Sequence, residues 1–434
     1  MSGVNLGDRR LSCRLVKLLE RLSKQPSASI PDACGGWAET KAAYRLLSHD
    51  KIGWTDILEP HWARTQERMR EESVVLCLQD TTELDFNGQA IEGLGPLSYE
   101  AQRGMYLHVT LTVSPQRVPL GVLDSWMWAR QAKGEDGRRS PSPKESVRWI
   151  GGYERIAEQA QALPGVRLVY AADREGDMLT LMARAEALGH PADWLLRSQH
   201  DRKLNEDGER LWAQVSNEAA CGEIAFDLPA RRGQAARQVR QSVRVKRVSL
   251  PTVGGDTLEV SAVVACEIDP PKGVKALEWR LLTNREVSGL EAAAELIDWY
   301  RARWEIEIFF HTLKTGCQVE SLQLASVAHI ERALAVYLVV SWRIGLLMRL
   351  GRACPDWDAE RLLSREEWQA AWILARKPVP AQVPTLRAAL HRIARQGGFL
   401  GRKSDGEPGV KSLWLGLQQI ASCVEGMRFR SSCG

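Results

Sequence analysis

Tyr300-Arg-Ala-Arg-Trp-Glu-Ile-Glu-Ile-Phe-Phe-His-Thr-Leu-Lys314 carries the densest chemistry in this 434-residue chain. At about 100° per residue on a helix, Tyr300, Arg303, Glu307 and Lys314 fall at roughly 0°, −60°, −20° and −40°. One narrow stripe would then present a phenol, a guanidinium, a carboxylate and an ammonium. Ile306, Phe309 and Leu313 project from the opposite side, as a helix anchored on a sheet requires. A carboxylate flanked by cations on a rigid face suits a metal ion and a polyanion together. A solvated helix with an Arg303–Glu307 pair at i,i+4 is the plainer alternative.

Working outward, two further acids stand beside apolar runs. Residues 74–78, Val-Val-Leu-Cys-Leu, read as a buried strand ending at Gln79-Asp80. Residues 166–172 read as a second, ending at Asp173. Acids at the C-terminal ends of such strands lie where sites collect on sheets with parallel strands. Between them, 107–113 alternates strictly and pairs with 118–123 as a hairpin, 134–143 is a polar loop, and 144–162 reads as a helix. Asp80 and Asp173 also suit strand-end or N-cap carboxylates accepting backbone N–H bonds.

The flanks differ from this centre. Residues 6–60 look helical, with Leu11, Leu15, Leu18, Leu19 and Leu22 at helical spacing, and residues 1–70 carry twelve Lys or Arg against eight acids. A mildly basic helical module of this kind can grip DNA or merely cap a core. Residues 190–290 look β-rich, with strands expected at 194–197, 239–250, 257–268 and 277–282. Helices resume at Leu290, continue through 330–350, pause at 354–358, and fill the last 76 residues around a proline-marked linker at Pro378, Pro380 and Pro384. The expected division is a helical module at 1–60, a mixed α/β region at 61–353 with its β-rich stretch at about 190–290, and a helical C-terminal region at 354–434.

Apolar content of 44% and charged content of 26% argue for folded domains rather than disorder or fibre. The longest apolar run, 333–340, is short for a membrane span, and no apolar leader opens the chain, so a cytoplasmic protein is expected. Nine scattered cysteines without CxxC spacing support neither a disulfide framework nor a thiolate zinc site. A net charge of +4 steers little by itself. Locally, 228–251 holds seven Lys or Arg (Arg231, Arg232, Arg237, Arg240, Arg244, Lys246, Arg247) and no acid. It reads as a basic hairpin tracking a phosphate backbone, or as a solvated charged loop.

Asp80, Asp173 and Glu307 come from three separate elements. Divalent metal chemistry on phosphodiesters needs a few hard carboxylate ligands, with positions left for water and phosphate oxygens. Two ions could then serve an in-line displacement. Arg303 and Lys314 would clamp phosphates, the first by its planar fork and the second as a point charge.

The stripe Tyr300/Arg303/Glu307/Lys314 resembles the YREK signature of the insertion-sequence-four (Tn-five-like) DDE transposases. The resemblance to that family extends to Leu6-Gly7-Asp8-Arg9-Arg10, Gln79-Asp80-Thr81-Thr82, Lys144-Glu145-Ser146, Asp173-Arg174-Glu175-Gly176-Asp177, Arg197-Ser198-Gln199-His200, Pro270-Pro271-Lys272-Gly273 and Gly397-Gly398-Phe399. The resemblance implies an α/β fold with an RNase H-like (retroviral-integrase-like) core interrupted by a β insertion, between a helical DNA-binding region and a helical dimerisation region. It implies Asp80, Asp173 and Glu307 as ligands of Mg2+, for which Mn2+ substitutes. Tyr300, Arg303 and Lys314 would hold DNA phosphates, and Trp279 would receive a flipped base during hairpin formation. Trp279 beside Leu281-Leu282 also suits a core tryptophan, and Trp304 a packing role. The implied partners are double-stranded DNA, as terminal inverted repeats and target, and a second copy of the chain in the synaptic complex.

The Leu6-Gly7-Asp8 motif opens close to the first residue, where the family commonly carries a further segment, and the tail after Phe399 is short. Altered end binding and dimerisation are therefore expected. The rival readings are a DNA-binding relative without productive catalysis that inhibits transposition, and a stand-alone RNase H-like nuclease.

Overall fold

The computed structural model describes residues 3–131, 146–204, 208–228, 236–252, 255–402 and 405–432. The loop expected at 134–143, together with Lys144, Glu145, Arg231 and Arg232, lies outside them. The chain divides into two compact units, one of Met1–Met69, Thr81–Pro141 and Glu305–Gly434, the other of Arg70–Asp80 and Ser142–Trp304.

The first unit opens with α1 (Arg9–Lys24), α2 (Ile30–Ala33), α3 (Trp37–Leu47) and α4 (Trp54–Arg70). Asp8 starts α1 by accepting from Arg10 N at 2.6 Å and Leu11 N at 3.4 Å, which satisfies otherwise orphaned amides. All five leucines of its helical stripe are buried. Strand β1 (Val74–Asp85) follows and belongs to both units, its residues to Asp80 in the second and those from Thr81 in the first. In the first unit come β2 (Gly95–Pro96), β3 (Arg103–Val113) and β4 (Pro119–Trp128), with β3 antiparallel to β4 and hydrogen-bonded beside the outer end of β1 through Phe86 N to Arg103 O at 2.9 Å.

The second unit holds α5 (Val147–Ala162), β5 (Arg167–Ala172), α6 (Leu179–Ala187), β6 (Asp193–Arg197) and α7 (Leu211–Asn217). There the inner half of β1 pairs in parallel with β5, and β5 in parallel with β6. Parallel strands β1, β5 and β6 joined through helices in this unit, and an antiparallel hairpin beside the outer end of β1 in the first, make up the strand inventory of an RNase H-like core. The insertion follows as β7 (Gly222–Leu228), β8 (Arg237–Pro251), β9 (Thr257–Glu267) and β10 (Glu278–Thr283), an antiparallel ladder in the order β10-β9-β8-β7. Strand β10 joins it antiparallel to β6. α8 (Leu290–Ala302) closes this unit.

The first unit resumes with α9 (Trp304–His311), α10 (Val327–Ala353), α11 (Arg365–Leu374), α12 (Leu386–Gln396) and α13 (Val410–Ser432). α10 is long and apolar enough to cross a membrane by composition, yet 67% of its apolar window is buried within the protein, as befits a core helix. Its C-terminal end packs with Trp368, Trp372, Leu386, Ile393, Leu413 and Ile420.

Three expectations change here. β1 does not end at Asp80 but continues to Asp85, because Thr81 and Thr82 are β-branched and the outer half has partners of its own in β3. The helix expected from Leu290 through Lys314 breaks at Arg303, and residues Thr312–Gly316 form a π turn, so the single straight stripe does not exist. Strand β7 was not expected.

Candidate active site

In the second unit Gln79 pairs with Ala172 across the parallel β1–β5 ladder. Asp80 and Asp173, the next residue on each chain, therefore stand side by side, on strands about 4.8 Å apart. β5 stops at Ala172, and Asp173 Oδ1 accepts from Glu175 N at 2.9 Å to cap the tight turn Arg174–Gly176. The capping reading of Asp173 thus holds without removing it from the pair. Behind β1, helix α5 approaches so closely that a Cβ on Gly152 would lie 2.5 Å from Gln79 Oε1. That closeness fixes the strand one residue before Asp80.

A chain of donors meets the first aspartate. Arg303 Nη1 lies 3.0 Å from Asp80 Oδ2, with both side chains largely withdrawn from water. Tyr300 is 6% exposed and accepts from Arg303 and from Arg197 at the end of β6. Burial pushes its phenol above the ordinary value, and the two guanidiniums partly offset that. The break at Arg303 thus lets the last turn of α8 aim Tyr300 and Arg303 at Asp80. Arg197 belongs to the Arg197-Ser198-Gln199-His200 motif, to which residue reasoning gave no role.

Glu307 sits in the first turn of α9, in the first unit, half-buried. Its neighbour Glu305 is 5% exposed and consumed by Arg349, whose Nε lies 2.8 Å from Oε2; burial raises its carboxyl above the usual range despite that partner. Of the two acids on this turn, Glu305 is structural. Lys314, on the π turn, donates to Glu83 O at 2.8 Å and lies 3.1 Å from Glu320 Oε1, tying the outer half of β1.

Trp279 is half-buried and stacks on Phe226, with centroids 5.4 Å apart and planes at 16°. The strands bearing these rings are separated by β9 and β8, so the ladder must curl to bring them together. Arg301 covers Phe226 at 4.4 Å. Trp304 is 49% exposed. The free basic hairpin also needs correction. On β8, Arg237 pairs with Glu267, Arg240 with Glu223, Lys246 with Glu218 and Arg247 with Glu259. Acids from neighbouring segments thus pair four of the five described cations of the stretch, and Arg244 donates to Glu218 O and Ser242 Oγ.

Among the described residues no three His, Cys, Asp or Glu side chains gather as a group that could hold a metal ion. Two adjacent carboxylates form an open ligand set of hard oxygens, which fits Mg2+, an ion that keeps most of its positions for water and phosphate.

Three family descriptions match the chain: transposase DNA-binding over residues 1–52, transposase DDE domain over 187–342, and transposase Tn5 dimerisation domain over 339–434. Among solved structures, a piggyBac transposase synaptic complex with hairpin DNA matches at 7% identity and a TM-score of 0.36, over 96% of this chain and 72% of that one. That likeness is too slight to bear on fold or function.

Proposed function

We propose that this chain, which belongs to the Tn5-like DDE transposases, moves its element by cut-and-paste, using Asp80, Asp173 and Glu307 as the metal-binding triad. The observation that carries this reading is the place of Asp80 and Asp173, each one residue beyond the Gln79–Ala172 pair of two adjacent parallel strands, with Arg303 on the first. Mg2+, or Mn2+ in its place, held by these three carboxylates would activate the attacking oxygen and stabilise the leaving one. Arg303, Tyr300 and Lys314 hold and orient DNA phosphates. Arg303 exchanges its Asp80 contact for a phosphate as the strand enters, a swap between two anions that its planar fork permits.

Water adds to the phosphorus at the element's end as the P–O3′ bond breaks, leaving a 3′-hydroxyl. That hydroxyl attacks the opposite strand to form a hairpin. Water opens the hairpin, and the freed 3′-hydroxyl joins target DNA. Every step exchanges one P–O bond for another, so no covalent enzyme intermediate is required. Trp279 takes up a displaced base at the hairpin stage by stacking, which tolerates any base. Residues 1–60 contact the terminal inverted repeats, 61–353 carry the chemistry, and 354–434 pair two copies of the chain in the synaptic complex in a bacterial cytoplasm.

The test is incubation of the purified chain with labelled DNA carrying the ends that flank its own gene, in Mg2+ or EDTA, with products resolved on a denaturing gel. Nicked and hairpinned products that need Mg2+ and vanish in Asp80→Asn, Asp173→Asn and Glu307→Gln are expected. Binding without cleavage in Mg2+ or Mn2+ would replace this reading with that of a transposition inhibitor.

A further inference from the structure

The second unit holds a pocket of about 380 Å³ lined by Arg174, Arg197, Ser198, Gln199, Glu278 and Arg280. Three guanidiniums reach it from three separate elements: the turn after Asp173, the end of β6, and β10. One carboxylate opposes them, and Arg280 Nε lies 2.7 Å from Glu278 Oε1. Converging like charges repel at short range, so a site of this composition favours an anion. Guanidinium forks and a hydroxyl match phosphate geometry. Arg174 is the residue after Asp173, and Arg197 connects through Tyr300 and Arg303 to Asp80. The pocket therefore adjoins the aspartate pair.

One wall is built rather than incidental. Asp177 is 1% exposed, and its Oδ2 accepts from Ser198 Oγ at 2.9 Å, Gln199 N at 2.8 Å and His200 N at 3.0 Å. Arg202 Nη2 forms an ion pair with the other oxygen at 2.7 Å and donates to Asp177 O at 3.0 Å. A buried carboxylate with this many partners holds the 198–200 turn in one geometry.

We propose that this pocket is a phosphodiester-binding subsite for the DNA strand lying beyond the scissile bond, with Arg174 and Arg280 as its ligands and Asp177 as the positioning residue that shapes it. The proposal rests on the transposase reading and adds a backbone contact to it. Because side chains alternate along a strand, Arg280 and Trp279 face opposite sides of β10. The subsite thus grips a different stretch of DNA from the one the indole meets.

The experiment is binding of the full chain to a fluorescent duplex carrying its gene-flanking end, by anisotropy over a range of KCl, beside the cleavage assay. Each lost phosphate contact lowers the slope of log affinity against log salt by about 0.9. Arg174→Ala and Arg280→Ala should each show that drop, and Arg155→Ala, an exposed cation paired with Glu158 on α5, should not. Asp177→Asn should lower the slope as well, while Arg202→Lys, which keeps the charge beside Asp177, should retain it. A purely structural Asp177 would lower the melting temperature and leave the slope unchanged. Should Asp177→Asn fail to fold, the arginine variants and Ser198→Ala decide. Wild-type binding and cleavage with unchanged slopes in both arginine variants overturns the subsite alone. A wild-type chain that neither binds nor cleaves DNA overturns the transposase reading and the subsite with it.

Discussion

His61 offers a direct measurement of how the first unit is held together. It lies on α4, is 3% exposed, and its Nε2 accepts from Val122 N on β4 at 3.0 Å, with Trp342 of α10 edge-on at 4.9 Å. An imidazole that must accept at Nε2 is neutral, and burial, assisted by the Arg68 charge, pushes its pKa from 6.5 down to about 3. Between those values the unfolded chain binds a proton that the folded chain refuses. Stability from this group is therefore complete above pH 6.5 and is lost as pH falls towards 3. Lowering pH from 7 to 5 should remove about 2 kcal/mol through His61 alone. In His61→Gln the side-chain oxygen still accepts from Val122 N, but nothing titrates. Urea midpoints at pH 7, 6 and 5 should show the variant losing about 2 kcal/mol less than wild type across that range. Parallel pH profiles would refute the assignment of a buried neutral imidazole.

Three other outcomes are expected. Trp279→Ala should let nicked DNA accumulate before the hairpin, with hairpin yield reduced by about 1–3 kcal/mol of lost stacking, whereas normal yield would return Trp279 to a partner of Phe226 only. Gly152→Ala should destabilise the fold by about 1–3 kcal/mol in urea and depress cleavage, since its Cβ would press on Gln79 beside Asp80; an unaffected midpoint would show that the helix can retreat. Lys314→Ala should flatten the salt dependence of DNA binding by about one contact, and an unchanged slope would leave Lys314 as a tie to Glu83 and Glu320.

Much of the core was legible because apolar runs announce buried strands. Residues 74–78 and 166–172 gave β1 and β5, and the strict alternation at 107–113 gave β3. The point where β1 leaves β5 was not legible, since a strand that changes partners need not change composition. Strand β7 escaped although Ile224, Phe226 and Leu228 alternate with Glu223, Ala225 and Asp227. Seven residues between two polar stretches give that period little room to register. The pairing of the β8 cations was invisible because Glu218, Glu223, Glu259 and Glu267 lie outside the acid-free stretch. The break at Arg303 was hidden by strong helix formers on both sides. Without it the Tyr300–Arg303 turn could not be separated from Glu307 and Lys314. Asp177 had a signal in its motif, but only the fold shows that it closes on Ser198, Gln199 and His200.

The way β1 is shared between two units bears on how the chain comes into being. Neither unit is a contiguous stretch, and the first is completed only by residues from Glu305 onward. A ribosome adding roughly 5–20 residues per second needs on the order of 10–50 s to travel from the end of α4 to that point. Through that interval the N-terminal helices exist without α10, whose Arg332 later caps the carbonyls of Leu47 and Ile52. Termination of synthesis before α10 would leave these helices without the core they pack on, so the unit that begins first is completed only after all of the second has been synthesised.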